Sequence, residues 1–231
     1  MKRIINSLIW FVLIPGVIIG IPGIFGKNQY QLTSLVVVVL VLIPFLINFE
    51  ARKHRAAELV LMAVLTAITV ISRIIFSPLP FFKPVTAILV LIALVLGRET
   101  GFIIGALAAL LSNFYFGQGP WTPYQMFAWG IVAYLAGVFS RYRQRLVIVL
   151  LLGLLSGVLF SVIMDVQYYF FLEDRFDFGG FWLVMLKSLP MTLTYMASNV
   201  IFLFLFRKIF ITRLERVKKK YGLFETNRTK I

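Results

Sequence analysis

Long apolar stretches separated by short polar connections dominate the chain. Eight such stretches can be drawn, at 4–25, 32–49, 56–76, 84–96, 101–116, 123–139, 146–172 and 181–206. A bilayer core about 30 Å thick needs roughly 20 apolar residues per helical span. The pattern therefore predicts an all-α integral membrane protein that crosses eight times. The fourth and fifth stretches are short and are joined only by Gly97-Arg98-Glu99-Thr100, which predicts a tight helical hairpin. No small-residue cleavage site follows a short apolar core in the first stretch, so it reads as a retained span rather than a signal peptide. Pro15, Pro22 and three glycines make it a poor regular helix.

Composition agrees with this reading. Of 231 residues, 61% are apolar and 14% charged, outside the range of soluble domains. A net charge of +14 would suggest nucleic acid in a soluble protein. Here the basic residues sit between apolar runs, so the partner they indicate is the lipid bilayer and not nucleic acid. With the N-terminus inside, one side of the membrane receives Lys2, Arg3, Arg52, Lys53, Arg55, Arg98, Arg141, Arg143 and Arg145, and nine further basic residues between 207 and 230. Only Lys27, Arg73, Lys83, Arg175 and Lys187 remain for the other. The positive-inside rule then places both termini in the cytoplasm.

Three parts are expected. Residues 1–49 form an N-terminal pair of apolar spans, 56–206 a six-span core, and 207–231 a basic cytoplasmic tail. Enzymatic chemistry is not indicated. Cysteine is absent and His54 is the single histidine, which leaves nothing for a disulfide frame or a metal cluster. The sequence contains no phosphate-binding loop, zinc helix or nucleophile elbow. Glu173, Asp174 and Asp177 form one acidic run and read as a solvated loop.

Intramembrane polar residues carry more information, because each is costly in lipid unless paired or facing a cavity. Asp165 and Lys187 lie at similar depth, roughly 10 Å below the outer surface at about 1.5 Å per residue. An ion pair between them is expected, either as the polar wall of an outward cavity or as a lock between two helices. Ser161, Asp165, Tyr168 and Tyr169 share one helical face; Lys187, Met191, Thr194 and Ser198 share another. The stretch 116–125 combines two glycines, two prolines, two glutamines and aromatic residues. Such a rigid, amide-bearing turn suits a large planar ligand with a polar edge. Small residues recur at four-residue spacing at Gly101, Gly105 and Ala109, at Ala133 and Gly137, at Gly153 and Gly157, and at Ala63 and Ala67, which predicts close helix packing.

Residues 56–206 resemble the substrate-binding S component of energy-coupling factor (ECF) transporters. The resemblance rests on six spans, on Ala63-Val-Leu-Thr-Ala67, on the Leu-x-x-Gly-Arg-Glu-x-Gly hairpin at 94–101, and on Asn113-Phe-Tyr-Phe-Gly-Gln-Gly-Pro-Trp-Thr-Pro at 113–123. The last stretch looks most like the cobalamin-type S components. The resemblance implies a vitamin-binding subunit of a prokaryotic plasma-membrane importer, with no cofactor of its own. It implies a transmembrane T component and two ATPase subunits as partners, with Ala63 and Ala67 against the T component. It also implies a ligand near the outer helix ends. Cobalamin is the expected ligand, with Asn113, Tyr115, Gln118, Trp121, Tyr124, Gln125, Asp165, Tyr168, Tyr169 and Lys187 as candidate contacts. Another flat ligand, such as riboflavin or a queuosine precursor, and a purely structural membrane protein are the alternatives. A secondary transporter would show related halves with discontinuous helices, and the sequence shows none.

Overall fold

The computed structural model describes residues 7–17, single positions at 20, 36, 40 and 43, and then 55–173 and 177–224. Most of the second apolar stretch, His54 and the last seven residues lie outside the described residues. Six α-helices follow in order: α1 Ala56–Ile75, α2 Val85–Leu96, α3 Arg98–Phe116, α4 Trp121–Val138, α5 Leu146–Leu172 and α6 Phe178–Lys220. A short 3-10 turn, Ser140–Tyr142, lies between α4 and α5. No strand occurs among the described residues. Helices α1, α3, α5 and α6 are each long and apolar enough to cross a membrane.

The 12-residue α2 is too short for a comfortable span, but all its residues except Ile88 are buried. A helix that is apolar all round belongs inside a bundle, and α2 touches each of the other five helices. Around it, α3 pairs with α4 and α5 pairs with α6, while α1 lies on α3. Outward-facing residues such as Val64, Ile71, Leu151, Leu155, Phe204 and Leu205 remain exposed, as lipid-facing positions must be. Backbone polar groups there are satisfied within each helix.

Two ends of the bundle differ chemically. The connections 77–84 and 117–120, together with Glu173 and Asp177, lie at one end, here called the aromatic end. The Gly97 turn, residues 139–145 and the last turns of α6 lie at the other, the basic end. Gly97 has φ +101°, a conformation that L side chains rarely adopt. It lets α2 turn straight into α3 with no intervening loop.

The expected boundaries differ from the helices mainly at two places. α3 begins at Arg98 rather than 101, and α6 runs to Lys220 rather than stopping at 206. At 43 residues α6 is about 65 Å long, twice the hydrocarbon core. The extension stays helical because it keeps an apolar stripe, with Ile211 and Leu214 buried, while Lys208, Arg213, Arg216, Lys219 and Lys220 are exposed. Side chains also tie it down. Arg143 pairs with Glu215, and Arg207 Nη1 donates to the Gln144 carbonyl at 2.7 Å. Arg55 Nη1 donates to the carbonyls of Tyr221 and Gly222, both at 3.3 Å. The Phe224 amide donates to Glu58 Oε1 at 2.6 Å.

Of the N-terminal pair, only 7–17 can be described at length. It is helical with a π-helical stretch, Ile9–Leu13. Ile9 and Ile14 are buried, and the Phe11 ring meets Tyr134 of α4 edge-on at 5.5 Å.

The α3–α4 contact depends on Gly105. A Cβ there would lie 2.6 Å from the Trp129 carbonyl oxygen and 2.8 Å from its carbon. Backbone cannot yield as a side-chain tip can, so Gly105→Ala must push the two helices apart. Thermal melts of detergent-purified protein should show a loss of about 1–3 kcal/mol, the usual cost of overpacking. A variant that melts with the wild type would remove this contact from the account.

Candidate functional site

Helix α1 buries one stripe of residues, and the last of them is Arg73, near the aromatic end. Its residue is 8% exposed. A guanidinium at membrane depth needs acceptors, and α3 supplies them. Arg73 Nη1 donates to Ser112 Oγ and, at 2.7 Å, to Asn113 Oδ1. The Phe116 and Trp129 rings lie 4.4 and 4.9 Å from the guanidinium carbon, close enough for cation–π attraction.

Asn113 passes this bonding onward. Its amide donates to Thr122 Oγ1 and to Gln125 Oε1, both at 2.9 Å. Thr122 Oγ1 donates to Gln118 Oε1 at 2.9 Å, and Gln118 Nε2 donates to the Leu110 carbonyl at 3.0 Å. One chain of hydrogen bonds thus joins the end of α1, the end of α3, the 117–120 turn and the start of α4. Asn113 has used its carbonyl and both amide protons.

Beside this network lies a cavity of about 270 Å³, near the low end for small-molecule sites. Its apolar walls are aromatic. Trp129 and Phe160 stack at 5.5 Å with 16° between their planes, and Tyr195 meets both Phe160 and Phe81 edge-on. Phe81 has φ +60°, a strained value for an aromatic residue and one often found at functional sites. The polar groups of the cavity lining are Arg73, Lys83, Gln125 and the hydroxyls of Thr86 and Tyr195, every one of them able to donate. Among the described residues no carboxylate lines it. Nη1 is the only nitrogen of Arg73 with an acceptor among the described residues, and the Thr86 hydroxyl has no partner there. The Gln125 carbonyl is taken by Asn113, which leaves its amide protons. Lys83, in the 77–84 connection, has its pKa lowered, first by burial and then by the charge of Arg73. The site is positive, rich in donors and flat-walled.

Among the ten expected ligand contacts, Gln125 alone lines this cavity. Asn113 and Gln118 are committed to the network beside it. Tyr124 is buried, and Trp121 lies over Gly119. Tyr115 and Tyr168 are 63% and 52% exposed. Tyr169 is buried, and its hydroxyl accepts from the Asp177 amide at 2.7 Å. The expected Asp165–Lys187 ion pair does not form. Asp165 accepts from Ser188 Oγ at 2.7 Å, and Lys187 is exposed. Depth was matched, but neighbouring residues on a helix point about 100° apart, so Ser188 faces α5 where Lys187 does not. Ser161 and Thr192 hydroxyls add a second polar contact between α5 and α6.

Sequence reading overlooked Arg73, Lys83, Trp129, Phe160 and Tyr195 as site residues. Arg73 carried a usable signal, an arginine inside an apolar span. The three aromatic residues carried none that distinguishes them from ordinary core.

A family model described as ECF-type riboflavin transporter, S component, matches residues 53–210. The matched region contains α1 to α5 whole and α6 as far as Phe210. Comparisons with curated proteins and with solved structures each returned no match.

Replacing the hub of the network should cost more than replacing its rim. Asn113→Leu removes one of the two acceptors of a buried guanidinium and both links to α4. It should lower stability by about 1–3 kcal/mol, with Gln118→Leu, at the exposed rim, well below that. Paired thermal melts of the two variants check the order; the reverse order would move the hub elsewhere.

Proposed function

The chain belongs to the ECF-type riboflavin transporter S component family, and we propose that its own ligand is riboflavin, held in the cavity around Arg73, Lys83 and Gln125. The family makes it a substrate-binding transport subunit rather than an enzyme, a multi-pass protein of the prokaryotic plasma membrane. The carrying observation is the set of unused donors on Arg73, Thr86 and Gln125 beside the stacked Trp129–Phe160 wall. An isoalloxazine is flat and apolar over most of its area, and its pyrimidine end bears two carbonyl oxygens and two bare ring nitrogens that accept hydrogen bonds, against one N–H that donates. Such an edge satisfies donors, and the ring plane covers aromatic walls.

Cobalamin fits this reading poorly. A corrin with its amide side chains has several times the atoms of a flavin, against a cavity of about 270 Å³. The amides and rings of the 116–125 stretch that suggested it are mostly committed within the protein or outside the cavity.

Delivery requires partners. Ala63 and Ala67 lie on the exposed face of α1 beside Val60, Val64 and Ile71. This small, apolar face supports docking of a T component, with two ATPase subunits supplying the energy. Positive charge supports a cytoplasmic basic end, with the aromatic end and its cavity facing out. Most of the expected N-terminal pair of spans at 1–49 lies outside the described residues.

Riboflavin fluorescence reports the binding directly, since stacking on tryptophan quenches it. Titration of detergent-purified protein should give saturable quenching that cobalamin does not reverse. Trp129→Ala and Gln125→Ala should each weaken binding by about tenfold or more, from the 1–3 kcal/mol cost of losing a buried partner. Displacement by cobalamin, or no quenching at all, would overturn the ligand assignment while leaving the family intact.

Ala63→Trp and Ala67→Trp test docking separately. Each should abolish uptake in cells that supply the partner subunits and leave riboflavin affinity of the isolated protein within about twofold, because a bulky ring blocks close helix approach. Normal uptake in both variants would exclude this face.

A further inference from the structure

A second cavity, of about 420 Å³, opens at the basic end around the Gly97 turn and the first turn of α3. It lies at the opposite end of the bundle from the flavin cavity and shares no residue with it. The first backbone N–H groups of a helix lack intrahelical acceptors and carry the positive end of its dipole. In α3 those of Arg98, Glu99 and Thr100 have no capping side chain, because the N-cap is Gly97. All three residues border the cavity.

A buried side chain points to the same occupant. Thr100 is 7% exposed and lines the cavity, and its hydroxyl has no hydrogen-bond partner among the described residues. A buried hydroxyl left unpaired costs about 1–3 kcal/mol, a cost that an incoming acceptor removes. Charge favours an anion as well. Arg98, Arg143, Lys218 and Lys219 line the space against two carboxylates, Glu99 and Glu215. Glu215 is held by Arg143, and Lys218 Nζ donates to the Val95 carbonyl at 3.1 Å, so the lining still carries two more cations than carboxylates. Ser140 adds a further hydroxyl.

We propose that this cavity is a phosphate site, in which the α3 N-terminus, Thr100 and the surrounding lysines and arginines bind a phosphate group. Helix N-termini bind phosphate through free N–H groups, and basic pockets at the cytoplasmic ends of membrane helices take lipid head groups. The same chemistry serves the phosphodiester of an anionic lipid and a free phosphate. A volume of about 420 Å³ leaves room for the glycerol beside the phosphorus.

The test uses the full chain, purified in detergent, with inorganic phosphate as probe at constant ionic strength. Phosphate should raise the melting temperature saturably. Thr100→Val, which keeps the shape and removes the hydroxyl, should weaken the apparent phosphate affinity about tenfold. Lys219→Gln, an exposed change, should weaken it a few-fold and guards against a fold defect in the first variant. Reconstitution into phosphatidylglycerol or phosphatidylcholine nanodiscs then separates the sources. If phosphatidylglycerol alone stabilises and added phosphate has no further effect, the occupant is the lipid head group. If phosphate still stabilises in phosphatidylglycerol, the occupant is a free phosphate. No saturable stabilisation by phosphate or phosphatidylglycerol, or a wild-type response in both variants, would overturn the proposal. None of these readouts depends on riboflavin binding.

Discussion

A guanidinium buried among transmembrane helices has to be satisfied by side chains, because helices consume their own backbone groups internally. Arg73 sets this demand at the aromatic end, and the surrounding architecture answers it. Ser112 and Asn113 accept its protons from the last turns of α3. Asn113 in turn fixes Thr122 and Gln125, which sets where α4 begins. The rotation of α1, the register of the α3–α4 hairpin and the shape of the 117–120 turn are therefore one problem with one solution. Removing one acceptor from such a group leaves a buried donor unsatisfied, a loss of about 1–3 kcal/mol. The same group also defines the cavity, because the donors it does not use internally are those a ligand can meet.

The helices were legible because hydropathy in a membrane protein reports burial in lipid or protein, and both demand apolar residues. α1, α2 and α5 begin and end within a residue of the apolar stretches that predicted them. The end of α6 was less legible. Charge marks where a helix leaves the hydrocarbon, not where it stops being helical, and Ile211 and Leu214 kept an apolar stripe going. Gly97 and the four-residue spacing of small residues were also readable, since both reflect steric needs that few other residues meet.

The site was legible only in part, for a definite reason. Residue type shows what hydrogen bonds a side chain can make, but not whether the protein already uses them. Asn113, Gln118 and Gln125 look alike in sequence, yet Asn113 spends its amide protons on α4, Gln118 donates to α3, and Gln125 keeps its protons beside the cavity. Asp165 and Lys187 failed for a related reason, since depth along an axis says nothing about direction around it. Arg73 was the better signal. A cation inside an apolar span cannot be ignored by its neighbours, so whatever surrounds it is constrained and is a natural place to seek a ligand.

Selectivity follows from the same imbalance of donors over acceptors. Aromatic walls accept many flat molecules, and a missing methylene changes affinity only modestly. Unpaired buried donors discriminate far more strongly, because an analogue without acceptors leaves them desolvated and unsatisfied. With no carboxylate in the lining and with Arg73 and Lys83 both present, a cationic ligand meets repulsion and an acceptor-poor one meets bare donors. Burial, and after it the charge of Arg73, lowers the Lys83 pKa; electron-rich oxygens placed between the two cations would relieve the second of these. As the proposed ligand site, the cavity would select among small flat ligands by polarity and would exclude larger ones by volume.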